Sequence, residues 1–92
     1  MANHWTKEMI IDMDWRHETN PPNNPGVYMA RDKITNDISY IGQTDDLRRR
    51  KRTHHVIELK KHEFYYLVIN SYPIRIALER ALIELFHPPL NK

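Results

Sequence analysis

Apolar and polar positions along this chain follow two different periods, and the changes of period divide it into short segments. Val27-Tyr28-Met29-Ala30 and Ile38-Ser39-Tyr40-Ile41 are β-prone runs on either side of Lys33-Ile34-Thr35-Asn36-Asp37, where Asn and Asp tolerate turn geometry. This pattern predicts an antiparallel hairpin. In any register whose paired residue numbers sum to an even value, Tyr28 and Tyr40 share one face of the sheet. At this level two ordinary strand tyrosines fit equally well. Gly42 closes the second strand, and Thr44, Asp45 or Asp46 can cap a helix predicted over residues 47–61. At about 100° per residue, Leu47, Arg50, His54, Ile57 and Lys61 fall on one helix face, with Arg48, Arg49 and Arg52 elsewhere and Val56 and Leu59 off the stripe.

The run Phe64-Tyr65-Tyr66-Leu67-Val68-Ile69 is apolar at both alternating sets of positions, as in a strand covered on both sides or one lying centrally in its sheet. Pro73 suits the first turn of a last helix that stops before Pro88-Pro89. Ile74, Leu78, Ala81 and Leu85 are its expected buried stripe, and Arg80 and Glu84 an exposed i,i+4 pair. Glu79 stands among Ile76, Leu82, Ile83 and Phe86 at helical spacings. A carboxylate in that setting needs a reason.

Residues 1–25 read as an N-terminal arm that ends in a linker, Asn20-Pro21-Pro22-Asn23-Asn24-Pro25, ahead of a domain over residues 26–92. Trp5, Met9 and Met13 recur every fourth residue, as in a short helix, although a strand-like arm fits too. The two tryptophans, Trp5 and Trp15, are expected to cover part of the core or a partner surface. The order is thus arm, β, β, α, β, α, without internal repeats.

Length and composition narrow the chemistry. Ninety-two residues, 40% of them hydrophobic, suffice for one core. With no cysteine, disulfides, thiolate metal sites and thiol nucleophiles are excluded, so a metal here would need oxygen or imidazole ligands. His54, His55 and His62 have spacings that fit no closed tetrahedral zinc site. No apolar run is long enough to span a bilayer, and the first ten residues lack the apolar core of a signal peptide, which leads to the expectation of a cytoplasmic protein. The net charge of +2 is small, yet Arg48-Arg49-Arg50-Lys51-Arg52 concentrates positive charge in one place. Such a cluster suits a phosphate backbone or a solvated helix face.

Gly26-Val27-Tyr28, Tyr40-Ile41-Gly42, the run Gln43-Thr44-Asp45-Asp46-Leu47-Arg48-Arg49-Arg50 with His54, Glu79 with Leu82-Ile83, and Pro89-Leu90-Asn91 follow one another at spacings that resemble the successive motifs of GIY-YIG nucleases. The resemblance runs from about Pro25 to the C-terminus. It implies an α+β fold, a small three-stranded antiparallel sheet flanked by helices, which agrees with the order of elements above.

It also implies a metal-dependent endonuclease acting on DNA. Glu79 would bind a single divalent ion, Mg²⁺ or Mn²⁺, with water and phosphate completing the shell. Arg50 would stabilise charge on the phosphate through its planar fork. Tyr28 would take a proton from the attacking water directly or through a neighbour, Tyr40 would position water or phosphate, and His54 would share that work or orient the phosphate. A tyrosine with its ordinary pKa of ~10 is a weak base at neutral pH unless Arg50 or the metal stabilises the phenolate. Arg48, Arg49, Lys51 and Arg52 would follow the DNA backbone, and Asn91 would contact nucleic acid near Glu79. His62 lies near the place where some relatives carry a further histidine, out of clear register with it. Two other readings accommodate the same residues. One is a non-catalytic nucleic-acid-binding module built on the basic helix, and the other a catalytic subunit whose specificity comes from a homo-oligomer or partner protein.

Overall fold

The computed structural model describes residues 6–54 and 57–91. Three strands, β1 (Gly26–Asp32), β2 (Ile38–Thr44) and β3 (His62–Val68), form an antiparallel sheet in the order β2-β1-β3. Helices α1 (Lys7–Ile11), α2 (Leu47–Thr53) and α3 (Tyr72–Phe86) complete the architecture, which is the expected α+β fold.

The hairpin turn forms where Asn and Asp permit it. The Asp32 carboxylate accepts the main-chain N–H groups of Ile34 (2.8 Å) and Thr35 (3.0 Å), and Asn36 takes the left-handed conformation with φ 65°. The pairs Tyr28↔Gly42, Met29↔Ile41 and Ala30↔Tyr40 have the even sum that puts both tyrosines on one face, before a register shift between Ala30 and Arg31. β1 is the central strand, and Gly26, Val27, Tyr28, Met29 and Ala30 are all buried. Val27, Met29, Ile41, Leu78, Leu82 and Ile10 pack on one side of the sheet, and Tyr28, Ala30, Leu47, Ile57, Phe64 and Tyr66 on the other. β3 is therefore an edge strand whose two faces are both covered. A Cβ on Gly26 would lie 2.2 Å from the Leu67 carbonyl oxygen and 2.7 Å from Leu47 Cδ1, so only glycine lets β1 start against β3 and α2 at once.

Three expectations change. α2 has seven residues and ends at Thr53, whereas the periodicity extended it to residue 61. Asp46 caps it through the Arg49 N–H, but no acidic side chain lies in its first turn, and Arg48 and Arg52 are like charges at i,i+4. The Thr53 hydroxyl turns back to the Arg49 carbonyl (2.9 Å), His54 itself is extended (φ −74°, ψ 127°), and Ile57 enters the core from outside the helix. In α3, capped by Ser71 and ended by His87 in the left-handed conformation, the buried positions are Arg75, Leu78, Ala81 and Leu82. Ile74, expected in that stripe, is exposed.

The third change concerns the arm. α1 covers Lys7–Ile11, but Ile10 is the residue that enters the core while Met9 faces solvent. Trp15 packs on the same cluster and donates its indole N–H to the Ile10 carbonyl (2.8 Å); Trp5 lies outside the described residues. Arg16 and Tyr66 exchange both main-chain hydrogen bonds (2.9 and 3.0 Å), which covers the outer edge of β3. The Tyr66 hydroxyl also bonds the Glu18 carboxylate. The linker then supplies carbonyls to the start of α2, from Asn24 to the Leu47 N–H (2.9 Å) and from Pro22 to the Arg48 N–H (3.2 Å). Ile10, Met13 and Trp15 of the arm thus pack into the same core as the sheet.

Candidate active site

Tyr28, on the central strand, is buried under its neighbours, with its ring stacked on Phe64 of β3 at 5.1 Å between centroids and 16°. On the other side it lies over Gly42 of β2, where a Cβ would stand 2.5 Å from the Tyr28 hydroxyl oxygen and 2.6 Å from Cζ. The last residue of the second triplet is glycine because the first tyrosine occupies the space a side chain would need.

That hydroxyl is where three elements meet. Arg50 of α2 donates its Nε–H to it at 3.2 Å, and His54 Nε2 lies 3.1 Å away. The Ile57 N–H donates to His54 Nδ1 at 3.3 Å, so a neutral His54 carries its proton on Nε2 and donates it to Tyr28. The phenolic oxygen then accepts two hydrogen bonds, one of them from a permanent cation. Its own proton remains available to a third group. Tyr40 closes the cluster, with ring centroids 6.2 Å from Tyr28 and 4.8 Å from His54.

Burial pushes the Tyr28 phenol up to about 12, and the hydrogen bond from Arg50 works in the opposite direction. At neutral pH Tyr28 is therefore a phenol. Arg50, bonded to Tyr28, is held above its ordinary pKa and stays charged. Glu79 of α3 is close enough for its charge to raise Tyr28 further. Its own pKa is raised by desolvation, against the opposing effects of a hydrogen bond from the Gln43 N–H and the nearby charge of Arg80.

The open edge of β2 explains how Glu79 comes to this place. Residues 39, 41 and 43 turn their main-chain groups away from β1, and each finds a partner. The Ser39 carbonyl accepts the Leu90 N–H (3.0 Å), Ile41 exchanges two hydrogen bonds with the Asn91 side-chain amide (2.7 and 2.8 Å), and the Gln43 N–H meets Glu79. Asn91, expected to contact nucleic acid near Glu79, ties the C-terminal segment to the strand between Tyr40 and Gly42. Its amide imitates a peptide group, which is why a residue so near the end is held.

Of the five residues expected at the site, Tyr28, Tyr40, Arg50 and His54 are in mutual contact, and Glu79 joins them by charge and by the edge of β2. His54 arrives from the residue that caps the C-terminus of α2 and not from a helix turn. The basic cluster is less open than its sequence suggests. Arg48 donates to the Pro21 carbonyl (2.9 Å), Lys51 donates to the Thr19 carbonyl (2.7 Å) over the ring of Phe64, and Arg49 pairs with Asp45 (2.8 Å). Arg52 is exposed. The His62 ring bonds the Glu58 carbonyl (2.9 Å), and His55 lies outside the described residues. Among the described residues no three His, Cys, Asp or Glu side chains gather as a metal cluster.

One buried charge was not anticipated. Arg75 is 6% exposed and donates to Gln43 Oε1 (3.0 Å) and to the carbonyls of Ile69 (3.2 Å) and Asn70 (3.1 Å). Its spacing of three and seven from Leu78 and Leu82 is the signal that would have placed it in the buried stripe.

The family model described as the GIY-YIG catalytic domain matches residues 24–92. The chain belongs to the GIY-YIG family. Solved structures of the GIY-YIG N-terminal endonuclease domain of UvrC from Thermotoga maritima share its fold. The one bound to magnesium as its catalytic divalent cation is 26% identical, with a TM-score of 0.65, over 77% of this chain and 86% of that one. A Tyr→Phe variant (26% identity, TM-score 0.64) and an Asn→Ala variant (25%, 0.65) cover the same shares, 77% and 86%, and each is also bound to its catalytic divalent cation. In that protein the ion thus remains bound after loss of single polar side chains. Comparison with curated protein sequences gives no match. In this GIY-YIG domain no helix among the described residues is long and apolar enough to cross a membrane.

Proposed function

We propose that this chain is an endonuclease that hydrolyses DNA phosphodiester bonds with a single divalent ion, Mg²⁺ or Mn²⁺, held by Glu79. The observation that carries this reading is the Tyr28 hydroxyl, which receives hydrogen bonds from both Arg50 and His54 beside a desolvated carboxylate. The donor set fits a hard cation. Glu79 supplies one anionic oxygen whose partial burial is offset by a main-chain N–H and the charge of Arg80, and Mg²⁺ binds readily through one carboxylate while keeping its waters. Bound there, the ion would offset charge on the phosphoryl oxygens and assist the departing 3′ oxygen.

The chain's own groups supply the remaining chemistry. Arg50 uses Nε to orient Tyr28 and also meets the Tyr40 side chain, which leaves other N–H groups of its fork for the phosphate. Tyr28 accepts the proton of the attacking water once it is a phenolate, a form that the two donors on its oxygen favour and burial opposes. His54 acts through Tyr28 by fixing its oxygen, and Tyr40 bounds the space beside them. Arg49 and Arg52, both exposed, are the residues we assign to the DNA backbone. Arg48 and Lys51 are held by arm carbonyls and add charge at longer range, and this restraint of the basic helix weakens the reading as a binding module alone.

Incubation of the purified chain with supercoiled plasmid and Mg²⁺ tests the reading. The parent protein should nick the plasmid, EDTA should stop it, and Glu79→Ala should lower the rate by about 10²-fold or more. Equal nicking by parent and variant, or none by either, would refute it.

A further inference from the structure

Beside the catalytic cluster lies an open cleft of about 480 Å³ that Arg50, Arg49 and Gln43 share with Tyr72 and Arg75 at the start of α3. Tyr72 is 60% exposed, a large aromatic surface to leave in water. The Arg75 guanidinium carbon lies 5.4 Å from the centroid of its ring. Arg75 is itself immobilised by its three hydrogen bonds to Gln43, Ile69 and Asn70, so the tyrosine rests on a fixed planar cation. Among the described residues no other aromatic ring packs against Tyr72. Its open part borders a cleft whose other wall carries the arginines proposed to meet the phosphates.

We infer that Tyr72 is a stacking platform for an unpaired nucleobase next to the cleaved phosphate. The inference rests on the proposed nuclease function and adds to it a substrate feature, a base free to leave its own stack. Each component has a physical reason. A flat aromatic accepts any base by its π-face, hence without sequence preference. Arginines in the same cleft hold the phosphates on either side of that base, giving the alternation of charge and aromatic surface that follows a single strand. A fully paired duplex keeps its bases stacked on one another and has no free face to offer Tyr72. Gln43 links this platform to the chemistry, because its side chain holds Arg75 and its N–H holds Glu79.

The test measures binding of fluorescein-labelled DNA in EDTA, where cleavage is off, to a short duplex with an unpaired bubble and to the same duplex fully paired. The parent protein should prefer the bubble. Tyr72→Leu, which keeps apolar bulk and loses the aromatic face, should weaken binding to the bubble about tenfold and leave the paired duplex unchanged. Tyr72→Trp should bind the bubble at least as well as the parent. Because stacking releases no counterions, the salt dependence of binding should have the same slope in Tyr72→Leu as in the parent. Thermal melting should be unaltered, as befits an exposed side chain. Bubble binding by Tyr72→Leu equal to that of the parent would overturn the inference. So would a loss that falls equally on both DNAs with a shallower salt slope, the mark of a phosphate contact. Failure of the parent to prefer the bubble, with plasmid nicking in Mg²⁺ intact, would overturn this inference alone, whereas failure both to bind either DNA and to nick plasmid would overturn it together with the nuclease reading.

Discussion

Arg50→Lys should leave the protein folded and lower DNA cleavage by about 10² to 10³-fold. Lysine keeps the positive charge, so a purely electrostatic role would survive the exchange. What it lacks is the fork that donates Nε–H to Tyr28 while presenting other N–H groups to a phosphate. The loss should have two parts. The first is weaker stabilisation of the phosphate in the transition state. The second acts through Tyr28, whose pKa is drawn down from its burial-raised value by the Arg50 hydrogen bond and should climb further without it. The sign is fixed by which form reacts. Tyr28 is a phenol at neutral pH, and in the proposed mechanism its phenolate takes the water proton, so the reactive fraction grows as pH rises toward the folded pKa of about 12. Cleavage by the parent should therefore rise close to tenfold per pH unit between about pH 6 and pH 9, wherever that proton transfer limits the rate. Arg50→Lys should run parallel below it. Equal rates for the two proteins in a plasmid assay at several pH values would remove Arg50 from the mechanism.

The second large effect is expected at a residue with no functional group. Gly42→Ala places a methyl group 2.5 Å from the Tyr28 hydroxyl oxygen unless something moves. The ring cannot retreat freely, because it is 1% exposed and stacked on Phe64. Relief must come from a shift of Tyr28 or of β2, and either one disturbs the oxygen's contacts with Arg50 and His54. Displacement on the scale of 1 Å is enough for a loss of about 10²-fold in rate. Overpacking should destabilise the fold by about 1–3 kcal/mol, measurable by urea unfolding. Cleavage by Gly42→Ala at the parental rate would show that the placement of Tyr28 is not critical.

These two residues also show what the sequence made legible. The hairpin, and with it the shared face of Tyr28 and Tyr40, follows from strand periodicity and a turn rich in Asn and Asp, both local properties. Glu79 stood out because a charge among apolar helix positions is locally anomalous. The length of α2 was not legible, since periodicity takes no account of repulsion along five consecutive basic residues or of the pull of Ile57 toward the core. His54 reached Tyr28 all the same, from the extended residue that caps α2 and not from a helical turn. The arm was underestimated, because the Arg16–Tyr66 main-chain pairing leaves no trace in side-chain pattern. The main-chain bonds that hold Asn91, and the burial of Arg75, went unread for a common reason. Each residue answers main-chain groups left open elsewhere, at the edge of β2 and after β3, and such needs become visible only once the sheet is assembled.

One divalent ion on Glu79 is proposed to work beside the Tyr28–Arg50–His54 cluster. A crystal of the protein soaked in Mn²⁺, with anomalous scattering recorded at the manganese edge, addresses it most directly. The account predicts one strong peak, about 2 to 2.3 Å from a Glu79 carboxylate oxygen and on the side facing Tyr28, that is absent from crystals of Glu79→Gln. A protein that cleaves DNA yet shows its manganese away from Glu79, or unchanged in the Glu79→Gln crystals, would contradict it.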